Sequence, residues 1–267
     1  MALASRIPPS VARWAGRQQF RPIVGPIIKA SASRLRHGAR VVPSGQAKGL
    51  RIDPSGANAG YALGTTEPMV QDLFAELLGP ESVVWDVGAN IGFYTLIAAR
   101  LSKTVVAFEP LPVNIAAIRR NLDLNEMNNV TLVEGAVSDH EGRAELELHG
   151  EQTWAKLDTS ADTEFKRSNA RVPSLTVRLL TLDEQLNTLR APSLVKIDIE
   201  GAEVAALRGA RRLLKDVRPI ILCELHGTNS PVMDLLDDCG YTATTVEDPE
   251  VTPRNASWSA HIVASPT

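Results

Sequence analysis

The stretch Val83-Val84-Trp85-Asp86-Val87-Gly88-Ala89-Asn90-Ile91-Gly92 decides the fold of this chain. An apolar run of this kind is typical of a buried strand in a parallel sheet. The glycines that follow indicate a turn that needs a positive φ or a missing Cβ, where backbone can approach a ligand closely. The sequence therefore predicts a strand and a ligand-binding turn, although a strand–turn–helix unit without a ligand would show the same pattern.

The acid in this stretch indicates which ligand the turn accepts. Asp86 lies two residues before the first glycine, where its charge would repel a pyrophosphate held at the following helix N-terminus. A dinucleotide fingerprint would read Gly-x-Gly-x-x-Gly with its acid downstream, and Asn90 stands where a second glycine is usual. We therefore expect a nucleoside with a cationic end, of which S-adenosylmethionine is the commonest, rather than NAD.

A second acid follows at the spacing of one βαβ unit. Val105-Val106-Ala107-Phe108-Glu109-Pro110 predicts a second strand that ends in Glu109, about twenty residues after Asp86. A carboxylate at that position can accept hydrogen bonds from both ribose hydroxyls. Because an NAD ribose would be bound in the same way, Glu109 indicates an adenosine ligand without separating the two cofactors.

Four motifs in order connect the chain to a known family. DVGANIGFYT, AFEPLPVN, NLDLN and VKIDIEGAEVAALRGA, which begin at residues 86, 107, 121 and 195, closely resemble the FkbM family of S-adenosylmethionine-dependent class I methyltransferases. The resemblance spans about Gly64 to Cys239. It implies a Rossmann-like fold and O-methylation of a hydroxyl on a small molecule, sugar or glycan.

The resemblance also implies a set of cofactor-binding residues. They lie in the turn after the first strand, at the ends of the second and third strands, and in an entry segment Gly64-Thr65-Thr66-Glu67-Pro68. The expected cofactor ligands are Glu67, Asp86, Gly88, Ala89, Asn90, Gly92, Glu109, Pro110, Glu134, Ala136 and Asp198. Many class I enzymes carry an acid where Ala136 stands, so Ser138 or Asp139 is an alternative contact to the adenine.

Alternating helix and strand signals from Glu67 onward predict a doubly wound, mostly parallel α/β sheet. Val130 to Val137 predicts the third strand, and Thr242 to Val246 with His261 to Ala264 predicts a closing antiparallel pair. Between them, residues 144–149 and 175–179 alternate and predict a strand pair. The polar loop that joins this pair, 150–173, is interpreted as either a substrate lid or an ordinary surface excursion.

Charged residues at the ends of the fourth and fifth strands are the candidate catalytic groups. Lys196 and Asp198 alternate with apolar residues in Leu194–Gly201, and Glu224 and His226 share one side of the fifth strand. Methyl transfer to oxygen needs a base, for which we expect His226, with Lys196 and Asp198 orienting the acceptor and Glu224 beside them. The alternatives are a structural Lys196–Asp198 pair and a merely hydrogen-bonded histidine.

The same strand ends offer ligands for a metal ion. Asp198, Glu200, Glu224 and His226 provide oxygen and nitrogen donors, which would suit Mg²⁺. Carboxylates at period two on a strand also arise from sheet-end hydrogen bonding, so the sequence leaves the metal open.

The charge distribution separates an N-terminal part from the rest of the chain. Ten Lys or Arg residues and no acid precede Asp53, so with an overall formal charge of −3 the remainder carries −13. We expect residues 1–51 to form a basic extension and 52–267 the FkbM-like domain. The extension is interpreted as a partly ordered appendage, a peripheral contact to anionic lipid or an acidic partner, or a targeting peptide.

Composition narrows the remaining function classes. The apolar runs are shorter than a membrane span needs, and the two cysteines lack metal-ligand spacing, so we expect a cytoplasmic protein that is at most peripheral to a membrane. An acidic catalytic region with 4% aromatic residues disfavours a nucleic-acid substrate. The competing functions are an NAD-dependent oxidoreductase and an inactive nucleoside-binding or scaffold module.

Overall fold

The described part of the chain centres on one seven-stranded sheet. The computed structural model describes residues 35–149, 154–157 and 173–267. The central strand β3 is Val83–Val87, and its fully buried apolar residues match the predicted first strand. The other strands of this sheet are β4 (Thr104–Glu109), β5 (Val130–Glu134), β10 (Leu194–Ile197), β11 (Ile220–Glu224), β12 (Tyr241–Thr245) and β13 (His261–Pro266).

The strand order is β12-β13-β11-β10-β3-β4-β5. β13 is antiparallel to both of its neighbours, and the other neighbouring strands run parallel to each other. The predicted doubly wound sheet with a closing antiparallel strand is confirmed. The order reverses direction at β3, because the chain continues to β4 on one side and later returns to β10 on the other. A ligand crevice forms at such a reversal.

Helices cover both faces of this sheet. They are α1 (Ala59–Leu63), α2 (Pro68–Glu76), α3 (Phe93–Leu101), α4 (Pro112–Leu124), α5 (Leu182–Gln185), α6 (Glu203–Arg208) and α7 (Asn229–Asp238), with a π-helical turn at Leu213–Val217 and a 3₁₀ turn at Pro253–Asn255. Trp85 and Val87 point to one face, where α6 and α7 pack, and Val84 points to the other, where α2 and α3 pack. Asp86 shares the face of Val84 because side chains alternate along a strand.

The predicted third strand is two strands. β5 ends at Glu134, and β6 (Ala136–Val137) belongs to a second sheet, where it pairs with β9 (Ser174–Leu180). Gly135 marks the break, since a Cβ there would lie 2.7 Å from the Leu180 side chain and 3.1 Å from the Arg178 carbonyl oxygen. Close approach of the neighbouring strand, rather than a continuous apolar run, therefore sets the end of β5.

The second sheet contains the predicted strand pair. β7 (Gly142–His149) and β9 (Ser174–Leu180) are antiparallel, and β8 (Trp154–Leu157) pairs with β7. Thr181 caps the N-terminus of α5, because its hydroxyl accepts a hydrogen bond from the Glu184 amide. Apart from β8 and residue 173, the expected lid lies outside the described residues.

Residues 40–52, which the charge distribution assigns to the extension, pack against the domain, whereas residues 1–34 of the expected extension lie outside the described residues. β1 (Arg40–Val41) pairs with β2 (Arg51–Ile52), and Val42, Leu50 and Ile52 are buried in the core cluster that contains α2 and α3. The Asn125 amide exchanges hydrogen bonds of 2.8 and 2.6 Å with the Arg51 backbone. We therefore propose that the folded unit begins near Arg40 rather than after Arg51.

Candidate functional site

A cavity of about 430 Å³ lies at the carboxyl ends of the central strands. Most residues predicted from the sequence line it. These are Glu67, Gly88, Asn90, Glu109, Pro110, Ala136, Asp198, Glu224 and His226, together with Glu200. Asp86, Ala89 and Lys196 line a smaller adjoining pocket that shares Gly88, Asn90 and Asp198 with the main cavity. The topology thus brings the predicted cofactor and catalytic groups into one crevice.

The turn after β3 requires glycine at its first position. Gly88 has a φ of 83°, and a Cβ there would lie 1.9 Å from the Asp198 carbonyl oxygen. The amides of Gly88 and Ala89 both donate to the Phe108 carbonyl, at 3.0 and 3.1 Å. The end of β10 consequently packs directly on this turn, so a side chain at position 88 would displace Asp198.

Asp86 is a fully buried carboxylate with spare hydrogen-bonding capacity. Its Oδ2 accepts a 2.6 Å hydrogen bond from the Thr95 hydroxyl, whereas its buried Oδ1 has no partner among the described residues. Burial raises the pKa of Asp86, against the lowering effect of Lys196 and Thr95. An unsatisfied buried oxygen is costly unless a ligand donates to it, and Asp86 therefore fits a cationic or hydrogen-bonding ligand.

Lys196 is held as a cation among acids. Its Nζ lies 3.1 Å from Asp198 Oδ2 and 4.6 Å from the centre of the Tyr94 ring. Burial alone would lower its pKa, but the charges of Asp198, Asp86 and Glu67 raise it. The Lys196–Asp198 pair that the sequence left open as an alternative is present, and Lys196 fixes the position of Asp198 beside the cavity.

Glu109 organises the polar edge of the cavity. Its carboxylate accepts hydrogen bonds from the amides of Asn90 and Leu111, at 2.9 and 3.0 Å, and from the Asn114 side chain at 3.1 Å. Burial outweighs these bonds and raises the pKa of Glu109 to about 7. The side-chain oxygens of Asn90 and Asn114 are buried without a partner in the described structure, so this edge offers acceptors to the hydroxyls or amine of a nucleoside.

His226 lies at the cavity wall as predicted, but its charge differs from the expected one. Its Nδ1 lies 2.9 Å from Glu203 Oε1, and its Nε2 lies 3.5 Å from both Glu200 and Glu224. Burial alone would lower its pKa, yet these carboxylates raise the pKa of His226 to about 9. An imidazole that is protonated at neutral pH cannot take the acceptor's proton, so this raised pKa argues against His226 as the base, and its assignment stays a prediction.

Glu200 is the carboxylate whose proton affinity suits a base. It lines the cavity in a left-handed conformation with a φ of 53°. Burial raises the pKa of Glu200 to about 7, although the neighbouring His226 charge opposes that shift. The sequence marked Glu200 only as a metal ligand, because its raised pKa depends on its burial in the folded chain.

A second histidine, His261, was assigned only to the closing strand. Its Nδ1 lies 2.6 Å from Glu247 Oε1, and its Nε2 lies 3.5 Å from Glu224 Oε2 and 3.8 Å from Glu67 Oε2. Although burial opposes it, these acids raise the pKa of His261 to about 9. Glu67 in turn accepts a 2.8 Å hydrogen bond from the Tyr94 hydroxyl, and burial raises its pKa.

Two predicted cofactor residues lie away from the cavity. Glu134 is on the edge strand, and its exposed carboxylate pairs with Arg119 at 2.6 Å. Gly92 begins α3 and packs against Ile118 on α4. Ser138 and Asp139, the alternatives to Ala136 for contact with the adenine, do not line the cavity either. Ala136 itself lines the cavity, so this wall is apolar.

Trp258 adds an aromatic side chain that the sequence did not single out. It lines the cavity mouth with 64% of its surface exposed, and its ring lies edge-on to His226 with centroids 5.2 Å apart. Gly227 accommodates it, because a Cβ there would lie 2.6 Å from the indole nitrogen. Exposed aromatic faces beside polar groups are typical of ligand contacts.

Comparison with known proteins decides the family. The model described as the methyltransferase FkbM domain matches residues 86–243. The chain belongs to the FkbM methyltransferase family. This match confirms the resemblance drawn from the motifs, and it favours a methyltransferase over the NAD-dependent alternative.

Several named relatives agree with this assignment. Methyltransferase 1 of Beauveria bassiana is 27% identical over 65% of this chain and 77% of its own length. The hexuronic acid methyltransferase AglP of Haloferax volcanii is 28% identical, over 60% of this chain and 62% of its own. The 31-O-demethyl-FK506 methyltransferase FkbM of Streptomyces tacrolimicus is 27% identical, over 75% of this chain and 91% of its own.

Solved structures were compared as well. The methyltransferase FkbM from Methylobacillus flagellatus is 19% identical with a TM-score of 0.46, covering 77% of this chain and 52% of that chain.

In the described ranges, none of the helices has the length and apolar character that crossing a bilayer requires.

Proposed function

We propose that this chain is an S-adenosylmethionine-dependent O-methyltransferase that acts on a hydroxyl of a sugar, glycan or other small molecule. The observation that carries this proposal is the pair Asp86 and Glu109, two buried carboxylates at the ends of adjacent parallel strands of a FkbM domain. One faces the small pocket and the other faces the cavity that adjoins it.

The residues present fit S-adenosylmethionine. Glu109, Asn90 and Asn114 offer acceptors for the ribose and adenine, Pro110 and Ala136 offer apolar walls, and the unsatisfied Asp86 Oδ1 suits a cationic amino group. Gly88 and Ala89 supply the close backbone approach. When bound there, the cofactor supplies an electrophilic methyl group on a sulfonium. The adjoining acids Glu67 and Asp198 favour that positive charge.

The acceptor is proposed to bind between Trp258 and the carboxylates. Trp258 presents a face on which a sugar ring can stack, while Glu200, Glu224 and His226 provide hydrogen-bonding groups for its hydroxyls. The relatives named for hexuronic acid and for 31-O-demethyl-FK506 support a hydroxylated acceptor for this chain.

Glu200 is proposed as the group that takes the acceptor's proton. With a pKa of about 7, an appreciable fraction is ionised at neutral pH while it still binds a proton effectively. His226 is anchored by the fully buried Glu203, and its imidazolium orients Glu200 and Glu224 through ion pairs of 3.5 Å each. Asp198, held by Lys196, is proposed to orient the acceptor.

Release of S-adenosylhomocysteine during incubation with a panel of neutral sugars, uronic acids and polyhydroxylated metabolites tests this function. We expect turnover with a hydroxylated acceptor. Trp258→Ala should raise the KM for that acceptor about tenfold with a smaller change in kcat, because lost uniform binding appears in KM. Trp258→Phe, which keeps an aromatic face, is the matched control and should stay close to the wild type.

Two outcomes would contradict the proposal. If S-adenosylmethionine binds but no acceptor across the panel yields S-adenosylhomocysteine, the chain is better explained as a nucleoside-binding module. If NAD binds in its place and the acceptor is oxidised, the chain is an oxidoreductase.

A further inference from the structure

His226 and His261 are oriented in the same way around Glu224. Each histidine has its Nδ1 beside a carboxylate, the buried Glu203 or the exposed Glu247, and its Nε2 3.5 Å from one oxygen of Glu224. In a histidine that binds a metal, one ring nitrogen is commonly held by a carboxylate while the other binds the ion. Both histidines therefore have the orientation of a metal ligand.

We propose that Glu67, Glu224 and His261 bind a divalent transition-metal ion at the cavity wall. Their ligand atoms all lie within 4.8 Å of one another. With metal–ligand distances of about 2.1 Å, cis ligands lie about 3 Å apart and trans ligands about 4.2 Å apart. The distances of 3.5 and 3.8 Å from His261 Nε2 to Glu224 and Glu67 fall between these limits, so shifts of tenths of an ångström suffice.

A second observation points to a ligand at this place. His261 is only 3% exposed, and within the described structure its Nε2 has no hydrogen-bond partner. A buried ring nitrogen aimed at two carboxylates without a well-formed hydrogen bond is costly, and an ion between the three groups would satisfy all of them. Binding of the ion would release to solvent the proton that the surrounding acids otherwise hold on the His261 ring. Tyr94 orients Glu67 through a 2.8 Å hydrogen bond, as Glu247 orients His261.

The other candidate cluster is a poorer metal site. Asp198, Glu224 and His226 also lie within reach of one another, but Asp198 is already paired with the Lys196 ammonium at 3.1 Å. That fixed positive charge would repel a cation bound to the same carboxylate. Of the two groups, the cluster of Glu67, Glu224 and His261 is therefore favoured over the donors Asp198, Glu200, Glu224 and His226, for which the sequence left a metal open.

The donor set selects the kind of ion. One imidazole nitrogen and two carboxylates suit Mn²⁺, Fe²⁺, Co²⁺ or Zn²⁺, whereas Mg²⁺ prefers oxygen ligands and water. Because Glu67 and Glu224 line the cavity, the remaining coordination positions would face an acceptor hydroxyl. This proposal goes beyond methyl transfer, because the three proposed ligands are side chains of the protein and need neither cofactor nor acceptor to bind an ion.

Titration with Mn²⁺ alone tests this site. The full chain is freed of metal with a chelator, and free Mn²⁺ is counted by electron paramagnetic resonance. We expect saturable binding to a single site that millimolar Mg²⁺ does not displace. His261→Gln and Glu224→Gln should weaken it more than a hundredfold, and Glu247→Gln about ten- to a hundredfold, as removal of an orienting carboxylate does.

A surface histidine provides the matched control. His140 pairs with Asp139 at 2.6 Å but is exposed, so His140→Gln should bind Mn²⁺ like the wild type. Circular dichroism verifies that each variant is folded, and Glu67→Gln replaces Glu224→Gln if the latter is not. The proposal is overturned if the wild type shows no saturable binding, if His261→Gln binds unchanged, or if only His226→Gln abolishes binding. Since the titration contains neither cofactor nor acceptor, its result is independent of methyl transfer.

Discussion

Glu200 and His226 are neighbours, and the proposed mechanism requires Glu200 to be ionised while His226 is protonated. Burial raises the pKa of Glu200 to about 7, and the surrounding acids raise the pKa of His226 to about 9. Between these values Glu200 is mainly ionised and His226 is mainly protonated. This is the combination in which a base is free to accept a proton and its cationic partner still holds it in place.

The pH dependence of kcat follows from this pair. Turnover should rise as pH increases through about 7, because Glu200 must lose its proton, and fall above about 9, because His226 loses its charge. Glu200→Gln should lower kcat roughly 10²–10⁴-fold and abolish the acidic limb while cofactor affinity is kept. Steady-state kinetics from pH 5.5 to about 10 measures both limbs.

The exposed Glu250 provides a control for this substitution, since Glu250→Gln removes the same charge at a residue that does not line the cavity. An unchanged profile in folded Glu200→Gln would remove Glu200 from the mechanism. In that case, loss of turnover in Glu224→Gln or Asp198→Asn would assign the base to another carboxylate.

The sequence could predict site residues that lie at the ends of parallel strands. It could not predict residues whose role depends on partners far away along the chain. Asp86, Glu109, Asp198 and Glu224 follow directly from where parallel strands end. Glu203, Glu247 and Trp258 belong to a helix and to loops whose contacts with His226 and His261 form only in the folded chain. The raised pKa of His226 depends on its distances to the carboxylates of Glu203, Glu224 and Glu200, which exist only in the folded chain, so the sequence suggested a neutral base instead.

The N-terminal hairpin contributes to the core, although its basic composition resembles an appendage. Val42 and Leu50 are buried beside α2 and α3, and the Arg100 side chain donates to the carbonyls of Lys48 and Gln46. Fully burying such a side chain contributes about 1.5–3 kcal/mol, and losing both would be expected to cost several kcal/mol. Charge counting could not reveal this, because it does not register the few apolar residues between the arginines.

A pair of truncations tests the contribution of the hairpin. A chain that begins at Ile52 loses β1 and the buried Val42 and Leu50, so its Tm should lie about 10 °C below that of a chain that begins at Leu35, which keeps the hairpin. Thermal unfolding followed by circular dichroism compares them. Equal Tm values for the two truncations would show that the folded unit begins after Arg51, as the charge distribution predicted.

The mostly parallel sheet with its closing antiparallel strand was the most predictable element-scale feature, and the residues at which strands end were the least predictable. The alternation of helix and strand after Glu67 predicts a parallel sheet, and the closing antiparallel pair follows from two apolar runs near the C-terminus. The break at Gly135 has no signal in the hydrophobic pattern. It arises because β9 approaches the backbone there, a contact between segments more than forty residues apart.

At the scale of the whole molecule, the reversal of strand order at β3 places the cavity. The chain leaves β3 toward β4 on one side and returns to β10 on the other, so the loops after these strands diverge and open a crevice. Asp86, Glu109 and Asp198 come from three strands and meet there. The second sheet closes one side of this crevice through Ala136, Val137 and Leu146.

The central claim is that this crevice binds S-adenosylmethionine through Asp86 and Glu109. Isothermal titration calorimetry of the full chain with S-adenosylmethionine, and separately with NAD, tests it most directly. We predict that the chain binds S-adenosylmethionine and does not bind NAD. In folded Asp86→Asn and Glu109→Gln, the binding free energy of S-adenosylmethionine should weaken by about 1.5–3 kcal/mol, the usual contribution of a hydrogen bond to a charged group. Binding of NAD instead, or S-adenosylmethionine affinity unchanged in both variants, would contradict the account.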